Sequence, residues 1–341
     1  MNSKYYSLVF RLVGSLIVLS TLYCCNKNND NSLRENVYSI SGDAINLNDF
    51  GKQFVGANAL HSFGVGSEDM LLWNLNIARE FVGNMNENPI SGFPIEDSNN
   101  QFLHSLQSIV DNNRSNGLVT ILCPFGWDGQ NVNLLTGKFP TETLFWDAYR
   151  AKLSQWANHF KEQSDVWIEV WNEPYRFDRT DGYTDDIWLN TMAELYNIIR
   201  NTGNENIVLI PCAEQGQDES VLINKGIEFL NNSNNVLFDI HAYEKWLLES
   251  NLNIEERVLN LQNLDLPIFF GEVAPVNSGV LMNPDYFLNL IHTKQISFAA
   301  WLWKYDETDQ DALLTTEGLP NNENNNNWGD LYLSIATRDR L

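Results

Sequence analysis

The sequence predicts a single closed (β/α)₈ barrel, an α/β fold, with a short N-terminal β-hairpin. Three observations carry that prediction. A short apolar run, a polar loop and an amphipathic stretch recur in that order eight times. The recurrence fills about 290 residues, a span that one barrel of this type uses. The turn after the first apolar run, Gly56-Ala-Asn-Ala-Leu60, lacks the G-x-G-x-x-G pattern by which a doubly wound sheet cradles a dinucleotide. The length of 341 residues would suit two average domains, but α/β barrels routinely use 200–250 residues as one. A hydrophobic fraction of 43% is enough for one large core.

The first element in the chain reads as an address. Lys4 and Arg11 flank and precede the apolar stretch Leu12–Tyr23, and no acid occurs before Asp30. A basic start with about a dozen apolar residues is a secretory signal, too short for a spanning helix. It runs into Cys24-Cys25 and the polar tract Asn26-Lys-Asn-Asn-Asp30. This resembles a bacterial lipoprotein signal, with Leu22 three residues before Cys25. The resemblance implies lipidation of Cys25 and a protein tethered to the cell envelope. Residues 1–25 are thus expected to be a signal peptide, 26–37 a polar linker and 38–341 the barrel domain. Simple secretion after cleavage is the competing reading.

Tyr38–Asn48 alternates in polarity and is expected to form a hairpin closing the bottom of the barrel. The eight strands are expected at Gln53–Ala57, Asn76–Val82, Leu118–Cys123, Val166–Trp171, Asn206–Cys212, Val236–His241, Pro267–Gly271 and Ser297–Trp303. Helical patterns lie between them at Glu68–Leu75, Asn99–Asn113, Thr141–Lys161, Asp185–Asn201, Glu219–Asn231, Ile254–Asn263 and Pro284–His292. A final helix covers about Gly329–Ala336. Ser67, Thr184 and Asn283 stand where caps belong. The tract Asn321–Asn327 is low in complexity and reads as a solvated loop.

Composition narrows the partners. With 21 basic and 44 acidic residues the net charge is −23. Nucleic acid, whose binding leans on Lys and Arg against phosphate, is excluded. Polyanionic sugars are disfavoured for the same reason. A monomer is expected. Cys123 and Cys212 fall at the ends of the third and fifth strands. Strands two apart in a sheet exceed disulfide reach, so both are expected to be free, buried thiols. His61, His104, His159 and His292 show no ligand spacing, and no metal or cofactor is implied.

In a barrel of this kind catalytic groups sit at the C-terminal ends of the strands. The fourth strand, Val166-Trp-Ile-Glu-Val-Trp171, ends in Asn172-Glu173-Pro174, and the seventh ends in Gly271-Glu272. Two carboxylates at a barrel mouth suit glycosidic bond cleavage, in which one group stays protonated to donate and the other is ionised to attack. The sixth strand ends in His241-Ala-Tyr243 and the eighth in Trp301-Leu-Trp303.

This ordered set resembles the family 5 glycoside hydrolases, retaining enzymes of the cellulase and β-mannanase type. The resemblance runs from about Tyr38 to Leu331 and implies roles residue by residue. Glu173 matches the acid/base and Glu272 the nucleophile. Asn172 matches the residue that bonds the substrate's 2-hydroxyl. His241 and Tyr243 match the pair beside the nucleophile, and Arg79 matches an Arg that pairs with it. A salt bridge from Arg79 to Glu169 is a second, compatible expectation. Trp303 fits the platform under the −1 sugar, while Trp127 and Trp246 follow strands and could each present a face to a sugar. Trp73, Trp146, Trp156 and Trp188 lie on helical patterns and read as packing. Many relatives end the third strand with His, whereas this chain reads Leu122-Cys-Pro-Phe-Gly-Trp127.

The expected function is that of a retaining endo-β-1,4-glycanase acting on a neutral plant polysaccharide, β-mannan slightly ahead of β-1,4-glucan. An endo-β-1,4-glucanase (cellulase or xyloglucanase) and a catalytically inactive surface glycan-binding lipoprotein are the alternatives. The presence of both Glu173 and Glu272 argues against the second, since a pure binder needs neither.

Overall fold

The computed structural model describes residues 37–61, 66–304, 310–322 and 327–340. The expected signal peptide, Cys25 and nearly all of the linker lie outside the described residues. Eight parallel strands close into a barrel in chain order: Val55–Ala59, Ile77–Val82, Val119–Pro124, Val166–Glu169, Val208–Pro211, Val236–Ala242, Ile268–Val273 and Ser297–Ala300. The last pairs with the first, Ala299 opposite Gly56, which closes the ring. They are called the first to eighth strands below.

Side chains alternate in and out along each strand, as pleating dictates. Outward residues such as Val55, Ala78, Leu122, Ile168, Phe238 and Phe270 pack under the surrounding helices in one continuous core. Inward residues build layers. The lowest is apolar, with Ile77, Val119, Trp167, Ile207, Leu237 and Phe269 joined by Ile45 from outside the barrel. Ile45 belongs to a three-stranded antiparallel sheet of Tyr38–Ser41, Ala44–Leu47 and Phe50–Gly51, with Tyr38 and Ile40 also packed on this layer. The expected hairpin thus gains a third short strand and plugs the barrel floor.

Most helices follow the sequence pattern closely: Trp146–Phe160, Asp185–Arg200, Ser220–Leu230, Asn251–Asn263, Asp285–Thr293 and Trp328–Ala336. Thr184 caps as expected, its side chain accepting from the Ile187 N–H. Two expectations fail. Glu68–Leu75 is a single 3₁₀ turn at Met70–Trp73, and Ser67 is buried, its hydroxyl donating to Asn113 Oδ1 at 2.5 Å instead of capping a helix. The helix expected from Asn99 starts only at Leu106, because Ile95–Glu96 and Phe102–Leu103 pair as a small hairpin. Asp97 organises that hairpin, accepting from the Asn99 and Gln101 N–H groups and from the Asn84 amide. Asx chemistry of this kind competes with helix formation.

Candidate active site

Above the apolar floor the barrel interior turns polar. Asn58, Arg79, Glu169 and Asp239 come from the first, second, fourth and sixth strands, and all four are fully buried. The strand register brings Asn58 opposite Arg79, and the same parity turns Glu169 and Asp239 inward. Arg79 spends all five of its N–H donors here. Two go to Glu169 as a bidentate pair at 2.7 and 2.8 Å. The others reach Asn58 Oδ1 at 2.8 Å, Glu272 Oε1 at 2.8 Å and Asn172 Oδ1 at 2.9 Å. Both pairings expected of Arg79, with Glu169 and with Glu272, are therefore present together.

The next layer up holds the two carboxyl groups expected at the barrel mouth. Glu272 sits on the seventh strand and Glu173 just beyond the fourth, its backbone in the left-handed region at φ 51°. A non-glycine residue held there is strained, a feature that clusters at functional sites. His241 lies between the two carboxylates, with Nδ1 2.8 Å from Glu173 Oε1 and 3.6 Å from Glu272 Oε2. One oxygen of each carboxylate lies within 4.8 Å of the other. The Tyr243 hydroxyl donates to Glu272 Oε2 at 2.5 Å. Asn172 is pinned at both ends of its amide, accepting from Arg79 and donating to Thr136 Oγ1 at 3.0 Å.

Glycines make room for this layer. A Cβ on Gly271 would fall 2.2 Å from Asp239 Oδ1, the atom that accepts the Gly271 N–H at 2.7 Å. A Cβ on Gly216 (φ +74°) would fall 2.7 Å from the His241 ring, and the Gly216 carbonyl accepts the His241 N–H.

Electrostatics follow from burial. Burial pushes the Glu272 carboxyl above its ordinary range, and the nearby Glu173 adds to this. His241, Arg79 and the Tyr243 hydroxyl oppose the rise by favouring the ionised form. Glu169 is pushed up to about 7 by burial and by Asp239, against the pull of Arg79. For His241 burial favours the neutral ring, but Glu272, Asp239 and Glu173 outweigh it and lift the imidazole well above its usual value. The site thus gathers Arg79 and His241 among four carboxyl groups. Tyr243→Phe removes a donor to the ionised form of Glu272, so the Glu272 pKa rises. The acidic limb of the kcat/KM profile should then move to higher pH, costing about tenfold in rate on that limb. An unmoved limb in a folded variant would show that the bond does not tune Glu272.

The tryptophans depart from expectation. Trp303 is only 2% exposed, its ring edge-on to Trp73 at 5.2 Å, so it has no face to offer a sugar. The eighth strand ends at Ala300, and the inward alternation that would have aimed Trp303 at the cleft ends with it. Trp301 is the inward residue instead, partly open and edge-on to Phe81 at 4.9 Å. Trp127 is also corrected: it stacks on Phe145 at 5.1 Å and is 9% exposed. Trp246 is fully buried against Phe270 and Phe287 with Arg257 over its ring. In the place of a strand-end His stand Cys123, whose thiol burial pushes up, and Phe125, packed on Phe81. Cys123 and Cys212 are free and buried, as expected. Sequence reasoning missed Asn58, Asp239 and Trp301 as parts of the site. Asp239 was readable in principle, since it precedes His241 by two and shares its inward parity.

The model of the cellulase family, glycosyl hydrolase family 5, matches residues 71–307. A mannan endo-1,4-beta-mannosidase of Cellvibrio japonicus (strain Ueda107) is 24% identical over 231 residues, which is 67% of this chain and 50% of that protein. The chain therefore spans about half the length of the curated relative it matches. Among solved structures, the catalytic domain of a mannanase from Streptomyces sp. SirexAA-E superposes with TM-score 0.67 at 16% identity, covering 95% of both chains. A β-mannanase from Thermomonospora fusca superposes with TM-score 0.68 at 16% identity, covering 89% of this chain and 97% of that one. These two likenesses are likenesses of fold.

Proposed function

The chain belongs to glycosyl hydrolase family 5, and from that membership we propose that it is a retaining endo-β-1,4-glycanase acting on a neutral plant polysaccharide, with β-mannan preferred. Glycoside hydrolysis is the activity of the family. The finer reading rests on one observation above the others, the oxygens of Glu173 and Glu272 within 4.8 Å of each other. That approach supports a retaining pair, whose carboxyls stand about 5–5.5 Å apart, over an inverting pair at about 6.5–9.5 Å.

In this reading Glu173 donates its proton to the leaving glycosidic oxygen while a Glu272 oxygen attacks the anomeric carbon. The C–O bond to the leaving sugar breaks as the bond to Glu272 forms. Glu173, now ionised, takes a proton from water, which attacks the same carbon and releases Glu272. Arg79 and Tyr243 hold Glu272 ionised and aimed, each at one of its oxygens. Trp301, not Trp303, lies beneath the sugar whose bond is cleaved. Mannan is favoured because the curated relative is named a mannan endo-1,4-beta-mannosidase. Reducing-end release from pure galactomannan, glucomannan, xyloglucan, xylan and carboxymethylcellulose tests the preference. Highest turnover on a mannan, with NMR detecting the β-anomer first, is the expected result. First-formed α-anomer would end the retaining mechanism, and a glucan preference would replace mannan.

The tether at Cys25 belongs to the same proposal. Radiolabelled palmitate should enter the full-length protein, and the label should vanish when Cys24 and Cys25 both become Ser. The double variant should turn soluble with unchanged specific activity, because the barrel domain lies beyond residue 37. One acyl chain binds at only about 10⁴ M⁻¹, so stable anchoring needs the several chains of a lipoprotein. A soluble, unlabelled wild type would mean simple secretion.

A further inference from the structure

Five non-glycine residues in the loops after the fourth and fifth strands hold left-handed backbone: Glu173, Tyr175, Arg179, Glu214 and Gln215. The loops are locked to each other by a carboxylate that has no part in the chemistry above. Glu214 is 3% exposed, yet it pairs with Arg179 from the loop carrying Glu173 and with Lys245 from the loop carrying Tyr243. It also accepts from the Tyr183 hydroxyl at 2.8 Å. A buried ionised group is costly unless paired and bonded in this way. Here it fixes Lys245, and Lys245 in turn fixes one exposed aromatic ring. The Lys245 ammonium sits 4.1 Å from the Phe177 ring centroid and donates to the Phe177 carbonyl at 3.2 Å. Phe177 remains 39% exposed. It is therefore an apolar ring on the loop after the fourth strand, four residues past Glu173, pinned by Lys245 and still partly exposed.

An acid that protonates the glycosidic oxygen has the leaving sugar on its own side of the cleft. The loop that follows Glu173, and the loop after the sixth strand that Lys245 anchors to it, border that side. We propose that Phe177 is a stacking platform for a sugar of the leaving group, held ready by the Arg179–Glu214–Lys245 triad. The proposal deepens the glycanase reading and rests on it. A sugar presents an apolar C–H face, and a ring fixed before binding loses little entropy on contact. The triad's charges are balanced within the loops by Glu214 and Asp218, so the platform suits neutral sugars.

The test compares wild type, Phe177→Ala and Phe177→Trp on two substrates: a hexasaccharide of whichever glycan the wild type cleaves, and the β-glycosyl fluoride of the bioside of the same sugar, whose leaving group is a fluoride ion with no ring to stack. Phe177→Ala should raise KM for the hexasaccharide about tenfold, shift KM for the fluoride far less, and be rescued by Phe177→Trp. Equal losses on both substrates would mark a structural role and overturn the proposal, as would no change on the hexasaccharide. A wild type that cleaves no β-1,4-glycan would instead refute the glycanase reading, and the platform with it.

Discussion

Glu272→Ala is expected to abolish turnover on every substrate, with kcat falling by about 10⁵-fold or more, as removal of a covalent nucleophile does. The buried carboxylate touches Arg79 on one oxygen and Tyr243 on the other, so its removal takes away the group that both donors hold in place. Glu173→Ala should behave differently. Aryl glycosides with good leaving groups need little proton donation, so they should retain activity while polysaccharide turnover collapses. Azide, small enough for the space vacated by the Glu173 side chain, should restore turnover and yield a β-glycosyl azide. Equal loss on all leaving groups, with no azide product, would remove the acid/base role from Glu173.

Arg79→Met should produce the largest loss of stability of any single change in the barrel. The variant leaves Glu169, Asp239 and Glu272 facing one another without the cation that all three approach. Breaking a buried charge network by removing one partner costs about 3–5 kcal/mol, roughly 5–15 °C in Tm for a domain of this size. The deficit has a pH signature. Without Arg79 these carboxyls take up protons more readily in the folded state than in the unfolded chain. Folded-state stability in the variant therefore falls as pH rises through and above the ordinary carboxylate range. Thermal unfolding at pH 5 and pH 8 should show the wider gap from wild type at pH 8. A deficit under 1 kcal/mol that ignores pH would mean that the polar layer does not depend on its cation.

The sequence by itself determined the barrel, the order of its strands and the two carboxylates. Strand positions follow from local apolar runs, and barrel closure follows from their number and alternation. Glu173 and Glu272 were legible as carboxylates at the ends of apolar runs, although Glu272 lies on the seventh strand itself, where the register shifts between Phe270 and Val273. Arg79 was legible through the family resemblance, on the second strand Ile77–Val82. Only the tertiary structure decided what depends on where a strand stops and which distant loops meet. The eighth strand ends at Ala300, and beyond it Trp303 packs edge-on to Trp73 while Trp301 packs edge-on to Phe81 and stays partly open. Asx bonding at Asp97 and burial of Ser67 replaced expected helix by a hairpin and a single turn, because side-chain bonds to distant partners outweighed local propensity. Glu214, Arg179 and Lys245 are separated by dozens of residues and share no pattern in the sequence; the closing of the barrel places their loops side by side, and burial then makes their pairing obligatory.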